Sequence, residues 1–227
     1  MSYLLTFYGH GTSGLTIDDY QILIDPFFTN NPATKTKAED INPDYLLVTH
    51  GHGDHVGDAV EIAERTGAKV IANAEIAKWL GARGADVHAQ HIGGGHDYPF
   101  GYVKLTQAIH GSALPDGSYG GMPGGFLITL PDGKKIYFAG DTGLFAGMSL
   151  IGEEGIHLAL LPIGDNYTMG PDDALRAVKL IQPKHVIPVH YNTWDLIAQD
   201  PKSWKERVES ETDSTVHILQ SDTSFEF

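Results

Sequence analysis

The sequence has no cysteine, which excludes disulfides, thiolate metal sites, cysteine nucleophiles and cysteine-held iron-sulfur clusters. Basic residues are scarce. The 15 Lys and Arg face 29 Asp and Glu, a net charge of -14, which argues against nucleic acid or an anionic membrane as a partner and favours a small-molecule substrate. No apolar run reaches the roughly eighteen residues of a spanning helix, and the opening stretch Tyr3 to Tyr8 lacks the basic flank and length of a signal peptide. A cytoplasmic location without membrane attachment is therefore expected. No repeat, low-complexity tract or Pro/Gly/Ser linker divides the chain, so residues 1–227 are expected to form one domain.

What the chain has in excess is histidine and glycine, 12 and 27 residues. A metal site carried on loops needs both. Short apolar runs rich in β-branched and aromatic residues predict strands at Leu4 to Tyr8, Gln21 to Ile24, Tyr45 to Val48, Lys69 to Ala72, Val103 to Gln107, Gly125 to Thr129, Lys135 to Phe138, Leu158 to Leu161, His185 to Pro188 and Val216 to Leu219. Helical patterns lie between them at Ala59 to Arg65, Ala74 to Leu80, Pro171 to Ile181 and Ser203 to Glu209. The turn signal Pro131-Asp132-Gly133 makes a hairpin of its flanking strands, whereas helix-bearing connections elsewhere favour parallel pairing. An α/β sandwich of mixed sheets faced by helices follows.

Several predicted strands end in a polar group, mostly beside glycine or proline: Asp25-Pro26, His50-Gly51, His110-Gly111, Gly140-Asp141 and Val189-His190-Tyr191. Ligand sites of open α/β sheets gather beyond strand ends. The densest segment is Thr49-His50-Gly51-His52-Gly53-Asp54-His55. His50 and His52, two apart in extended backbone, send their rings the same way and can share one ion. Asp54 and His55 sit where a helix begins, point elsewhere and can serve a second.

Taken together, Asp25, the His-x-His-x-Asp-His run, His110, Asp141 and His190 resemble, in order, the signature of the metallo-β-lactamase superfamily. The resemblance spans Asp25 to His190, most of the chain. Tyr8-Gly9-His10, Ala139-Gly140-Asp141-Thr142-Gly143 and Gly164 to Gly170 further resemble the small metal-dependent hydrolases related to ascorbate-6-phosphate lactonases. The resemblance implies a four-layer αββα sandwich of two mixed sheets flanked by helices. It implies that His50, His52 and His110 hold one ion and Asp54, His55 and His190 another, with Asp141 bridging. A dinuclear hydrolase of a small ester, lactone or phosphodiester is then expected, in which a shared hydroxide attacks and Asp54 orients it or relays its proton. Nitrogen and oxygen donors without sulfur suit zinc first and manganese second. Family habit adds a homo-oligomer. The alternatives are a di-iron redox protein and a metal-containing metabolite binder.

Asp25 either caps a turn before Pro26 or orients a ligand histidine from behind. His10 either is a loop residue or faces the cleft. Asp165 and Asn166 either cap the helix opened by Pro171 or contact substrate. His88, His91 and His96 around Gly93-Gly94-Gly95 are expected on a solvated loop, and His157, His185 and His217 in structural roles. Leu114 to Gly124 reads as a mobile lid or specificity loop. Trp194, four residues after His190, is a candidate pocket wall, while Trp79 and Trp204 are assigned to packing.

Overall fold

The computed structural model describes residues 3–227. In chain order its elements are β1 Leu4–Gly9, β2 Thr12–Ile17, β3 Tyr20–Ile24, β4 Tyr45–Leu47, α1 Gly53–Val56, α2 Ala59–Thr66, β5 Lys69–Asn73, α3 Ala74–Gly81, β6 Val87–Gln90, β7 Gly95–Tyr98 and β8 Gly101–Gln107. They continue with β9 Gly124–Thr129, β10 Lys135–Phe138, α4 Met148–Gly152, β11 Leu158–Pro162, α5 Pro171–Ile181, β12 His185–Val189, α6 Pro201–Glu211, β13 Thr215–Val216 and β14 Thr223–Glu226. One 7-stranded sheet runs β14-β1-β2-β3-β4-β5-β6 and the other β13-β12-β11-β10-β9-β8-β7. Each is antiparallel over one half and parallel over the other, β3 to β6 in the first and β10 to β13 in the second.

Strand alternation builds the layers. Ile136 and Phe138 of β10 and Leu158 and Leu160 of β11 enter the core between the sheets with Leu5, Ile24 and Leu47. Their neighbours Tyr137, Ala159 and Leu161 face outward against α5 and α6, through Leu175, Val178 and Trp204. On the far side, Leu46 and Val70 pack against Ile62 of α2 and Ile76 of α3. The outer faces of both parallel halves are thus covered by helices, and the four-layer αββα sandwich is the fold this alternation specifies. The helices begin where local chemistry directs: Asn73 accepts from Ile76 N at 2.9 Å, and Asp200 accepts from Lys202 N just ahead of Pro201.

Four strands escape the sequence pattern. β2 and β14 are short of apolar residues, and β6 and β7 carry Val87-His-Ala-Gln and Gly95-His-Asp-Tyr. His88 and His96 therefore lie on strands rather than on a solvated loop, with rings 4.4 Å apart. In the predicted strand Val216 to Leu219 only Val216 pairs, in Thr215–Val216. The segment after His110 is tied down, not loose. Asn73 Nδ2 donates to the carbonyls of Gly120 and Met122 at 2.7 and 3.0 Å. Asp116 accepts from Trp79 Nε1 at 2.6 Å and from Arg83 at 3.0 Å. These contacts lock the loop onto β5 and α3.

Candidate metal centre

β1, β3, β4, β8, β10 and β12 run in a common direction within their sheets, so their C-terminal ends deliver His10, Asp25, His50, His110, Asp141 and His190 to one edge of the sandwich. The edge is stitched directly: His190 N donates to the His10 carbonyl at 2.8 Å, across the two sheets. His10, Asp25 and His190 all adopt positive φ, at 58°, 49° and 55°. Non-glycine residues reach that region at an energetic cost that clusters at functional sites. Gly140, at φ 61°, carries the strand end into Asp141, where a Cβ would stand 2.9 Å from the Cβ of Thr49.

Three side-chain groups converge there. The rings of His50, His52 and His110 lie 4.7 to 5.1 Å apart, with ligand nitrogens within 4.8 Å of one another. Asp54, His55, His190 and His10 form a second group on the same criterion. Asp141 stands between them. Its Oδ2 is 3.1 Å from His190 Nε2, 3.5 Å from His110 Nε2 and 4.0 Å from His50 Nε2, and its Oδ1 is 3.3 Å from His55 Nε2. His50 with His55 and Asp141 is the third group.

The buried Asp25 carboxylate organises the histidines from beneath. It accepts from Thr49 N at 2.8 Å, from Thr49 Oγ1 at 2.6 Å and from His55 Nδ1 at 2.8 Å. With its proton committed to Asp25, the Thr49 hydroxyl accepts from His50 Nδ1 at 3.0 Å. Both imidazoles are therefore fixed with Nε2 turned towards Asp141. Ser112 Oγ accepts from Gly51 N at 3.0 Å, and the Thr49 carbonyl accepts from Gly124 N at 3.0 Å, so the pinned loop braces the histidine segment.

His10 is buried with its ring 3.9 Å from that of His190 and edge-on to Trp194 at 4.8 Å. Burial pushes its pKa down to about 4 against the opposing pull of Asp54. The neutral ring must donate from Nε2 to Asp54 Oδ2, at 3.0 Å, because a carboxylate can only accept. Its Nδ1 then accepts from the Thr193 hydroxyl at 2.8 Å. Asp54 is held well below the usual carboxylate range: burial opposes this, but His10 and His55 outweigh it. Burial likewise opposes ionisation of Asp141, yet His55 and His190 keep it an anion. His50 and His110 are pushed down, chiefly by burial, and are neutral donors. At His55 burial is overcome by Asp141 and Asp25, which raise its pKa well above the ordinary value.

The donor set fits transition-metal ions. His55 Nε2 and both nitrogens of His190 are buried without a hydrogen-bond partner. Two of these nitrogens come within 3.1 and 3.3 Å of Asp141 oxygens yet lack the alignment of a hydrogen bond. Imidazole nitrogens aimed into a shared space lined by carboxylate are what cation coordination requires, an ion taking the place of the proton that His55 otherwise holds, and an orphaned buried polar atom is otherwise costly. Asp165 and Asn166 stand apart from these groups. Asp165 folds back against Gly170, the N-cap residue just ahead of α5, and accepts from Asn166 N at 2.8 Å. The neighbour Tyr167, together with Trp194, lines the cleft above Asp141. Thr49 and Thr193 were not singled out from the sequence. Their signal was position alone, directly before His50 and three residues after His190.

Comparisons with known proteins agree with this geometry. The beta-lactamase superfamily domain matches residues 20–191. A UPF0173 metal-dependent hydrolase of Pelotomaculum thermopropionicum is 50% identical over 228 residues, covering 98% of this chain and 99% of that protein. One from Bacillus cytotoxicus is 49% identical over 225 residues, covering 96% and 99%. Among solved structures, a metallo hydrolase of the hyperthermophilic archaeon Ignicoccus hospitalis is 40% identical with a TM-score of 0.92, covering 100% of this chain and 99% of that one.

Proposed function

This chain belongs to the beta-lactamase superfamily as a metal-dependent hydrolase, and from that premise we propose that it cleaves a small ester, lactone or phosphodiester with two transition-metal ions held side by side. The observation that carries this reading is the pair of donor triads flanking one buried carboxylate, with His55 Nε2 and both nitrogens of His190 lacking a hydrogen-bond partner among the described residues. His50, His52 and His110 would hold one ion and Asp54, His55 and His190 the other, with Asp141 between them. When bound, the pair supplies an acidified water and an electrophile for the substrate's carbonyl or phosphoryl oxygen. Zinc is the first choice for this sulfur-free donor set and manganese the second.

The chain's own groups supply the positioning. Asp25 sets the His55 ring directly and the His50 ring through Thr49, so that both present Nε2. His10 fixes one oxygen of Asp54. With its side chain 27% exposed, against 4% for Asp141, Asp54 is the more accessible carboxylate of the cluster. It orients the attacking water and takes up its proton. His10, neutral and anchored by Thr193, keeps that carboxylate from turning away.

Elemental analysis of untagged protein, paired with hydrolysis of p-nitrophenyl acetate, γ-butyrolactone and bis-p-nitrophenyl phosphate, tests the reading. The expected result is about two equivalents of zinc or manganese per chain, with turnover that a chelator abolishes and added metal restores. Protein that takes up no metal when zinc and manganese are supplied, or turnover indifferent to chelation, would overturn it.

A further inference from the structure

The cleft over the metal cluster is small, about 350 Å³, and its composition is one-sided. Its floor is made of cluster residues and its walls are Tyr167 and Trp194. Among the described residues, neither Lys nor Arg lines it. Recognition of a phosphate or carboxylate group is ordinarily the work of such cations, Arg above all through its bidentate fork. What the cleft offers a substrate instead is aromatic surface: Tyr167 is 53% exposed and Trp194 is 40% exposed. Both are large for exposed residues and both are held in place. The Trp194 ring lies against His10 and, at 6.4 Å, Phe27, and the Trp194 carbonyl accepts from Ile197 N at 3.0 Å. Tyr167 rides a turn in which Asp165 and Asn166 take positive φ, at 62° and 47°. Two residues on, Met169 N donates to the Thr142 carbonyl at 3.0 Å, beside Asp141.

We infer that the substrate is electrically neutral at its reacting group, a carboxylic ester or lactone whose aromatic or apolar substituent lies between Tyr167 and Trp194. The inference rests on the hydrolase reading and narrows it, setting aside the anionic phosphodiester. Fixed aromatic faces on a pocket of this size accept a ring-sized group. The reaction is a balanced hydrolysis. The water oxygen bonds to the acyl carbon, the acyl C–O bond breaks, the departing alkoxide oxygen takes a proton, and the acid leaves as a carboxylate with its proton passing to solvent. A lactone gives the corresponding hydroxy acid. The anionic product meets no Lys or Arg on the cleft lining to retain it.

The test uses metal-loaded protein with methyl phenylacetate, methyl propanoate and monomethyl succinate, acid release being followed by pH-stat, and bis-p-nitrophenyl phosphate alongside. The expected order of kcat/KM places methyl phenylacetate about tenfold or more above monomethyl succinate and above the phosphodiester. In Trp194→Ala and Tyr167→Ala the ratio of methyl phenylacetate to methyl propanoate turnover falls about tenfold, with bound metal unchanged, and Trp194→Phe restores most of it. Phenylacetamide quenches the wild-type tryptophan fluorescence, and Trp194→Phe removes that quenching. Preference for the phosphodiester or for monomethyl succinate, with chelator-sensitive turnover, would overturn this inference and leave the hydrolase reading standing. So would equal losses on all esters in the variants. Metal-loaded protein that hydrolyses none of the substrates would overturn both.

Discussion

Removing the Asp25 carboxylate would strand three buried donors at once: the Thr49 amide, the Thr49 hydroxyl and His55 Nδ1. Leaving such groups unpaired away from water costs about 1–3 kcal/mol each at most, with partial relief from rearrangement. Asp25→Ala is therefore expected to destabilise the chelated protein by about 2–4 kcal/mol in urea unfolding. A separate effect follows from tautomer control. Once Asp25 is gone, nothing fixes the proton of His55 on Nδ1, and metal affinity is expected to fall about 10- to 100-fold in a competitive zinc titration. Asp25→Asn distinguishes the two effects, because its amide keeps the volume but sets N–H donors against the Thr49 hydroxyl and His55 Nδ1–H. Wild-type zinc affinity in that variant would show that the His55 ring is oriented by other means.

Asn73 does two jobs at the junction of β5 and α3. Its Oδ1 caps the helix through Ile76 N, while its Nδ2 holds the carbonyls of Gly120 and Met122. Asn73→Ala loses both and is expected to cost about 2 kcal/mol of stability. Asn73→Asp keeps the cap but faces two carbonyls with a carboxylate. It is expected to raise amide hydrogen exchange in residues 112–122 selectively, leaving α3 as protected as in wild type. Equal exchange in the loop would assign its anchoring to Asp116 and Ser112 alone. This loop shows where sequence reading stops. Gly117, Gly120 and Gly121 look like mobility, yet the restraint comes from Asn73 and Trp79, more than thirty residues away, and no local pattern records such partners. Strands with β-branched cores, such as Lys135–Phe138, and helices with clear punctuation, such as Pro171–Ile181, were legible to the residue. β7 was not, because Gly-His-Asp-Tyr forms a strand only through pairing with β8. The strand-end histidines and carboxylates were legible because each follows an apolar run. The Thr49, Thr193 and Tyr167 contributions depend on tertiary placement and were not.

Across the whole molecule, the C-terminal strand closes one sheet against a row of histidines on the other. β14 pairs with β1, Phe225 lies 4.1 Å from the His217 ring, and Phe227 lies 5.9 Å from that of His157. His217 Nε2 and His185 Nδ1 are 3.0 Å apart, a bond that needs one protonated and one bare nitrogen. Burial lowers the pKa of all three histidines from the ordinary 6.5. The other histidine of a neighbouring pair and nearby lysines, Lys134, Lys184 and Lys205, push the same way, while Asp132 and Glu209 oppose. The folded chain therefore binds fewer protons than the unfolded chain just below pH 6.5, so stability rises with pH through that window and is lost as pH falls through it. The carboxylates held low, Asp132 and Asp222 among them, titrate in a more acidic window and do not confuse the reading. The metal-centre imidazoles His10, His50 and His110 add to the same fall, so the comparison with a variant is the measure. The drop in Tm between pH 7.5 and 5.5 is expected to be smaller in His185→Gln/His217→Gln than in wild type, both with chelator present. At pH 7.5 the variant is expected to be the less stable, having lost the bond between the two rings. An identical drop in both proteins would place the acid sensitivity outside the His185–His217 pair and leave the closure of β14 to Phe225 and Phe227 packing alone.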